Sequence, residues 1–380
     1  MKSKIILQVV VLMIITGFFT SCKKEHKHFC DGNDTILITT KVFATGLNNP
    51  RGLEFGPDGY LYVAEAGIGG TMSSTGCDQV LPPIGPYTGD VTGSRISRID
   101  QAGMRTTWVD NLPSTSNAKG LISGVGDVAF IGHTLYALIT GAGCSHGVPS
   151  IPNSVIRINE NRTWTGVANL SDYLRTHTVM NPEPDDFEPD GNWYSMIGAG
   201  GDLYAMEANH GELDKVSANG TITRIIDISA PYGHIVPTVV AFRNGNFYVG
   251  NLSTFPATPG ISSVYKITPG GQISVFATGF NMILGIAFDK AGGLYVLENT
   301  TNNPRPTPGT GDVVRVDPSS GAKQVITTGL ILPTGMTFGP DGKLYVSNVG
   351  FGPSAVGGGQ VLQVSFKCDE MTDNAKITNQ

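Results

Sequence analysis

The side chains best suited to chemistry recur at similar places along the chain. Glu65, Glu207, Asn251, Glu298 and Asn348 each close a short apolar run, with Asn209 and Asn299 just beyond two of them. Arg51, His146, His210 and His234 fall in neighbouring stretches. Carboxylate and amide oxygens are the donors that hard cations prefer, so Ca2+ or Mg2+ would suit Glu65, Glu207 and Glu298. A small polar ligand would suit the wider set of Arg51, Glu65, Glu207, Asn209, His210, His234, Asn251, Glu298 and Asn348. Asn is also a common turn former, and turn chemistry alone accounts for many of these positions. A serine hydrolase would need a Gly-x-Ser-x-Gly elbow on a strained strand-to-helix turn, and no serine is assigned to one. No catalytic residue is therefore assigned.

What positions these groups is a repeat. The pattern is an apolar run, a turn rich in Asp, Asn and Gly, and a second apolar run that starts at Leu61, Leu135, Leu203, Phe247, Leu294 or Leu344. Turns such as Pro57-Asp58-Gly59, Asn244-Gly245 and Pro340-Asp341-Gly342 supply the positive φ that a tight hairpin needs. A third run follows each copy, at Ile96, Val155, Leu213, Val264, Val313 and Val361, and a fourth follows in all but the last. Six units of four antiparallel strands predict an all-β, six-bladed β-propeller. The sixth unit runs out of chain. The stretch 40–47 matches 273–280 in pattern, so the N-terminal strand is expected to close the last blade.

Composition agrees. The 380 residues include 50 Gly and 23 Pro, too many for a helical bundle. Hydrophobic residues make up 40% and charged residues only 15%, which argues against a disordered chain. The net charge of −6 offers no basic footprint for nucleic acid. Arg98, Arg157, Lys215, Lys266 and Arg315 occur once per unit, as structural positions would, and a monomer is expected.

Residues 1–21 read as a lipoprotein signal peptide. Lys2 and Lys4 precede an apolar run too short to span a bilayer comfortably, and Thr20-Ser21-Cys22 resembles a bacterial lipobox. Cys22 would then be lipidated, anchoring the protein at the bacterial cell envelope. Residues 22–35 read as a tether, 36–368 as the propeller and 369–380 as a tail. An exported chain meets oxidising conditions. Cys30 precedes the closing strand and Cys368 ends the strand it pairs with, while Cys77 and Cys144 share one face of adjacent blades. Disulfides Cys30–Cys368 and Cys77–Cys144 are predicted. Two long insertions, at 67–93 and 171–193, are read as loops. The second carries Asp185, Asp186, Glu188 and Asp190 among prolines and reads as a solvated, self-repelling loop. Trp108, Trp164 and Trp193 are expected to pack rather than to stack on sugar.

With these residues in view, the chain resembles the ScyD/ScyE family of exported propellers, relatives of the NHL-repeat proteins. The resemblance spans about residues 41–364. It is carried by 44–52, by Glu65-Ala66-Gly67 with Cys77, by the acidic stretch 181–192, and by 203–209, 236–238, 247–252 and 294–298. Gly126-Asp127 stands where that family commonly has His-Asp. The resemblance implies the fold and an exported location, and no reaction. The expected role is a lipid-anchored module that binds a small polar ligand, a protein or a glycan, or serves as a scaffold. The alternative is a metal-dependent small-molecule hydrolase or lyase, gluconolactonase-like or streptogramin-lyase-like.

Overall fold

A computed structural model describes residues 35–183, 187–301, 303–317, 319–351 and 356–369. Six antiparallel sheets surround a central channel. Blade 1 is built on Pro50–Phe55, Leu61–Glu65, Thr88–Ile99 and Arg105–Ser116, and blade 2 on Val125–Ile131, Thr134–Ile139, Ser154–Ile158 and Trp164–Asn169. Blade 3 comprises Trp193–Ala199, Asp202–Glu207, Glu212–Val216 and Ile222–Asp227. Blade 4 comprises Pro237–Arg243, Asn246–Asn251, Ser262–Ile267 and Ile273–Phe280. Blade 5 follows with Ile283–Phe288, Leu294–Glu298, Gly311–Val316 and Lys323–Leu330. In blade 6, Gly335–Phe338, Leu344–Asn348 and Gly359–Asp369 are joined by the N-terminal strand Thr35–Leu47. That strand runs antiparallel to Gly359–Asp369, with Thr40 opposite Val364, so the ring closes as the repeat requires.

Each hairpin shows why its sequence folds as it does. Gly59 and Gly342 take φ of 79° and 76°, a region costly for a residue with a Cβ. The turn aspartates are held from the second strand, where Tyr62 donates to Asp58 at 2.9 Å and Tyr345 to Asp341 at 3.1 Å. Three of the once-per-unit cations meet hairpin acids of their own blades: Arg98 pairs with Asp58 at 3.0 Å, Lys215 lies 3.7 Å from Asp202 and Arg315 lies 3.9 Å from Asp289. They are structural positions.

Blades are joined by aromatic contacts in register. The inner strands end in Phe55, Phe130, Phe242, Phe288 and Phe338, with Gly198 at that place in blade 3. Phe130 meets Tyr62 of the preceding blade edge-on at 5.3 Å, and Phe288 meets Tyr248 at 4.8 Å. Phe338 meets Tyr295 at 5.0 Å, and Phe55 meets Tyr345 at 4.9 Å across the closure. Such pairs add roughly 0.5–1.5 kcal/mol each beyond the area they bury. Trp193 is fully buried and Trp108 packs edge-on against Tyr62, as expected, but Trp164 is 36% exposed beside a shallow groove of blade 2.

Both insertions differ from the loops that were expected. The first adds the short strand Met72–Ser73 and lengthens Thr88–Ile99, continuing the blade 1 ribbon outward. The second contains the helix Leu170–Thr176, capped by Asn169 accepting from the Asp172 N–H, and then folds inward. Glu188 and Asp190 are 3% and 1% exposed, so they are neither solvated nor repelling. Partners supply the reason, as the next subsection describes. The Cys77–Cys144 disulfide is present, with Cα atoms 5.5 Å apart. Cys22, Cys30, Asp185 and Asp186 lie outside the described residues, and so does the Cys30–Cys368 pairing. Among the described residues, no helix is long and apolar enough to cross a membrane.

Candidate ligand-binding channel

The acids and amides that end the second strands turn back onto the segments leading into their own blades. Glu65 accepts from the Asn48 N–H at 2.6 Å, and Glu207 from the Asn192 N–H at 2.6 Å. Glu298 accepts from the Asn281 N–H, and Asn348 Oδ1 from the Ile331 N–H at 2.8 Å. Asn251 uses both ends of its amide: Nδ2 donates to the Ile235 carbonyl at 2.9 Å, and Oδ1 accepts from the Ser263 N–H at 2.7 Å. A buried N–H with no partner is costly, so these side chains act as clasps that satisfy the chain where it enters each blade. Glu207 serves four such donors, adding Asn209, His210 and Gly211. Burial pushes its carboxyl up to about 7 despite those four bonds. Glu65 is further engaged by Arg95 at 2.8 Å and by Ser97.

The expected metal triad is therefore not brought together. Glu65, Glu207 and Glu298 each stay within their own blade, and no three metal-ligating side chains gather among the described residues. Of the other candidates, Asn209 accepts from the Glu188 N–H at 2.9 Å. His210 stands with Nε2 3.1 Å from the Glu188 carbonyl and its ring on Phe187, and burial lowers its affinity for a proton. His234 lies 3.4 Å from Glu183. Arg51 alone stands beside the channel. It is 8% exposed, flanked by Tyr194 and Phe351, and Nη2 donates to the Ile122 carbonyl.

A second group, under the Cys77–Cys144 disulfide, has the outline of a nucleophile and its base. Ser145 Oγ lies 3.1 Å from His146 Nδ1, and His146 Nε2 lies 3.2 Å from Glu188. Burial decides against that role. Ser145 and His146 are each 1% exposed, and the serine hydroxyl is committed to Asp190 at 2.6 Å. Arg175 also pairs with Asp190, and Tyr87 donates to Glu188 at 3.2 Å. These contacts dock the acidic insertion onto blade 2.

The open space lies along the axis. The inner strands wall a channel of about 500 Å3. At the register step of Gly52, blades 2 to 6 carry Asp127, Ser195, Val239, Gly285 and Gly335. At the step of Glu54 they carry Ala129, Ile197, Ala241, Ala287 and Thr337. Two carboxyls thus stand on adjacent blades in an otherwise small or apolar wall. Asp127 is fixed by the Val128 N–H at 2.8 Å and the Met196 N–H at 2.9 Å. Gly52 makes room for it, because a Cβ there would fall 1.7 Å from the Asp127 carboxylate. Burial, and then the neighbouring Asp127, push Glu54 up to about 8. Burial pushes Asp127 up to about 7, against the pull of its two amides. The Tyr194 hydroxyl donates to the Thr334 carbonyl at 3.2 Å, and burial raises its own proton affinity to about 12. Sequence reasoning passed over Glu54 and met Asp127 only as a position of the repeat, beside the Gly126 that departs from the family's His-Asp wording. The signal was present, since each is an acid at a register step where the other copies carry uncharged side chains.

The fold defines the class as a six-bladed β-propeller, and solved structures agree. A protein of unknown function from Bacteroides thetaiotaomicron superposes with a TM-score of 0.56 at 11% identity, over 88% of this chain and 77% of that one. A putative glucose dehydrogenase from Thermus thermophilus gives 0.54 at 18%, over 87% and 100%. A gluconolactonase from Xanthomonas campestris gives 0.52 at 11%, over 88% and 91%. No family model and no curated protein sequence matches the chain.

Proposed function

We propose that this is an exported, lipid-anchored propeller of the ScyD/ScyE type that binds a small polar ligand in its central channel. The observation that carries the reading is the pair of carboxyls, Glu54 and Asp127, facing that channel while the ring of loop acids is used up by backbone bonds. Channels of this size with a few convergent polar groups are a usual form of small-ligand sites. The leader ending at Cys22 supports the anchor, and the Cys77–Cys144 disulfide suits an oxidising compartment. A thermal-shift screen of small polar metabolites tests the reading. Ligands that stabilise the mature protein should lose that effect in Asp127→Asn, and a hit unaffected by this change would place binding elsewhere. Fatty-acid labelling that persists in Cys22→Ser would remove the anchor from the proposal.

One observation favours a second reading, hydrolysis or elimination on a small molecule. Both channel carboxyls exchange protons near neutral pH, which suits general acid–base work. The gluconolactonase likeness is in keeping with it. The metal-dependent version fits these residues poorly. Ca2+ takes six to eight oxygens, and among the described residues no three metal-ligating side chains gather.

A further inference from the structure

We propose that the channel takes an organic ammonium ion, its charge held between Glu54 and Asp127 and its apolar part against the phenylalanines at the channel's end. The inference rests on the channel being the binding site, and it names the chemistry of the ligand.

Four observations carry it. First, among the described residues no Lys, Arg or His pairs with either carboxyl, so the acids repel each other in a confined space. Second, the positive groups nearby are partly engaged. Arg51 donates to the Ile122 carbonyl, and Arg243, which lines the channel, donates through Nη1 to the Asp289 carbonyl at 2.9 Å while lying over Phe288. An anionic ligand would meet two acids, and the one cation lining the channel is already bonded and stacked. Third, Phe242, Phe288 and Phe338 line the same space, and Phe242 is 42% exposed. Aromatic faces attract ammonium groups through the ring quadrupole. Fourth, an ammonium needs few acceptors, which matches two carboxyls with no third metal-ligating side chain gathered beside them among the described residues.

The binding has a sign in pH. The pair carries bound protons at pH 6, and a seated cation must displace them. Tyr194 stays neutral throughout, and Arg51 and Arg243 keep fixed charges, so they do not reverse the trend. Affinity therefore rises from pH 6 to pH 8.5, with proton release.

The test uses the full mature protein and three probes of one shape: choline, its neutral carbon analogue 3,3-dimethylbutanol, and 3,3-dimethylbutanoate. Calorimetry should show choline binding at least tenfold tighter than either analogue at pH 8.5, and about tenfold tighter than at pH 6. The double variant Glu54→Gln/Asp127→Asn should remove both differences. Carbon-13 methyl signals of Ala241 and Ala287, which stand at the Glu54 step of the channel wall, report where the probe sits. Analogues that shift those methyls and bind as well as choline would overturn the ammonium assignment and leave the channel reading standing. Choline binding that moves neither methyl would overturn both. Absence of choline binding at pH 8.5 overturns the ammonium assignment.

Discussion

Two sets of carboxyls occupy this propeller, and their surroundings give them opposite roles. Glu65, Glu207 and Glu298 sit where chain enters a blade, and backbone amides claim them. Glu54 and Asp127 sit on inner strands, where Asp127 takes two amides and Glu54 the Phe130 N–H, yet both also border the open channel. The residue types are the same. What separates them is whether open volume lies beside the carboxyl as well as amide donors. An acid beside orphan N–H groups becomes structure, and an acid beside a cavity stays available for a ligand.

The comparison breaks most readily at Glu207. Glu207→Ala strands four buried amides, each worth roughly 1–3 kcal/mol if wholly unsatisfied, though sharing one carboxylate makes the losses less than additive. A destabilisation of about 3 kcal/mol is expected in urea unfolding, and a change near zero would remove the clasp.

Next comes pH. Glu54 and Asp312 at about 8, and Asp127 and Glu207 at about 7, hold protons in the folded state that the unfolded chain, near 4, has released. For Asp312 the causes are burial and then its cross-strand neighbour Glu298. Folding thus takes up protons, and this contribution is largest at low pH. It falls as pH rises from about 4 through 8 and is flat beyond. Urea midpoints at pH 5.5 and 8.5 should differ in that direction by about 2 kcal/mol, and a higher midpoint at pH 8.5 would contradict it.

The channel pair should respond with the opposite sign to Glu207. Glu54→Gln removes a buried repulsion, so at pH 8.5 it should stabilise the protein by about 1 kcal/mol, with little effect at pH 5.5. Destabilisation at pH 8.5 would mean that the Phe130 N–H bond to Glu54 outweighs the repulsion. The smallest effect is expected at Asn348→Ala, which gives up one neutral clasp and should cost about 1 kcal/mol in the same assay.

Much of the fold was legible in the residues. Hairpin wording such as Pro57-Asp58-Gly59 marks the turns, and the pattern of 40–47 foretold the strand that closes blade 6. Placing Cys77 and Cys144 on one face of adjacent blades predicted their bond. The site was less legible. Loop acids were read as convergent donors because sequence spacing cannot show which amides lack partners. Glu188 and Asp190 read as solvated because His146 and Ser145, which meet them, come from a loop of blade 2. Glu54 lay inside a repeat, and its difference from Ala129, Ala241 and Ala287 gains meaning only once those positions face one channel.

By itself, then, the sequence determined the number of blades, their strand order and the means of closure. Those depend on local turn chemistry and alternation, which short segments carry within themselves. The tertiary structure alone decided which acids are bound and which are available. That choice depends on the nearest unsatisfied donor or open volume, and both are made by segments far apart in the chain.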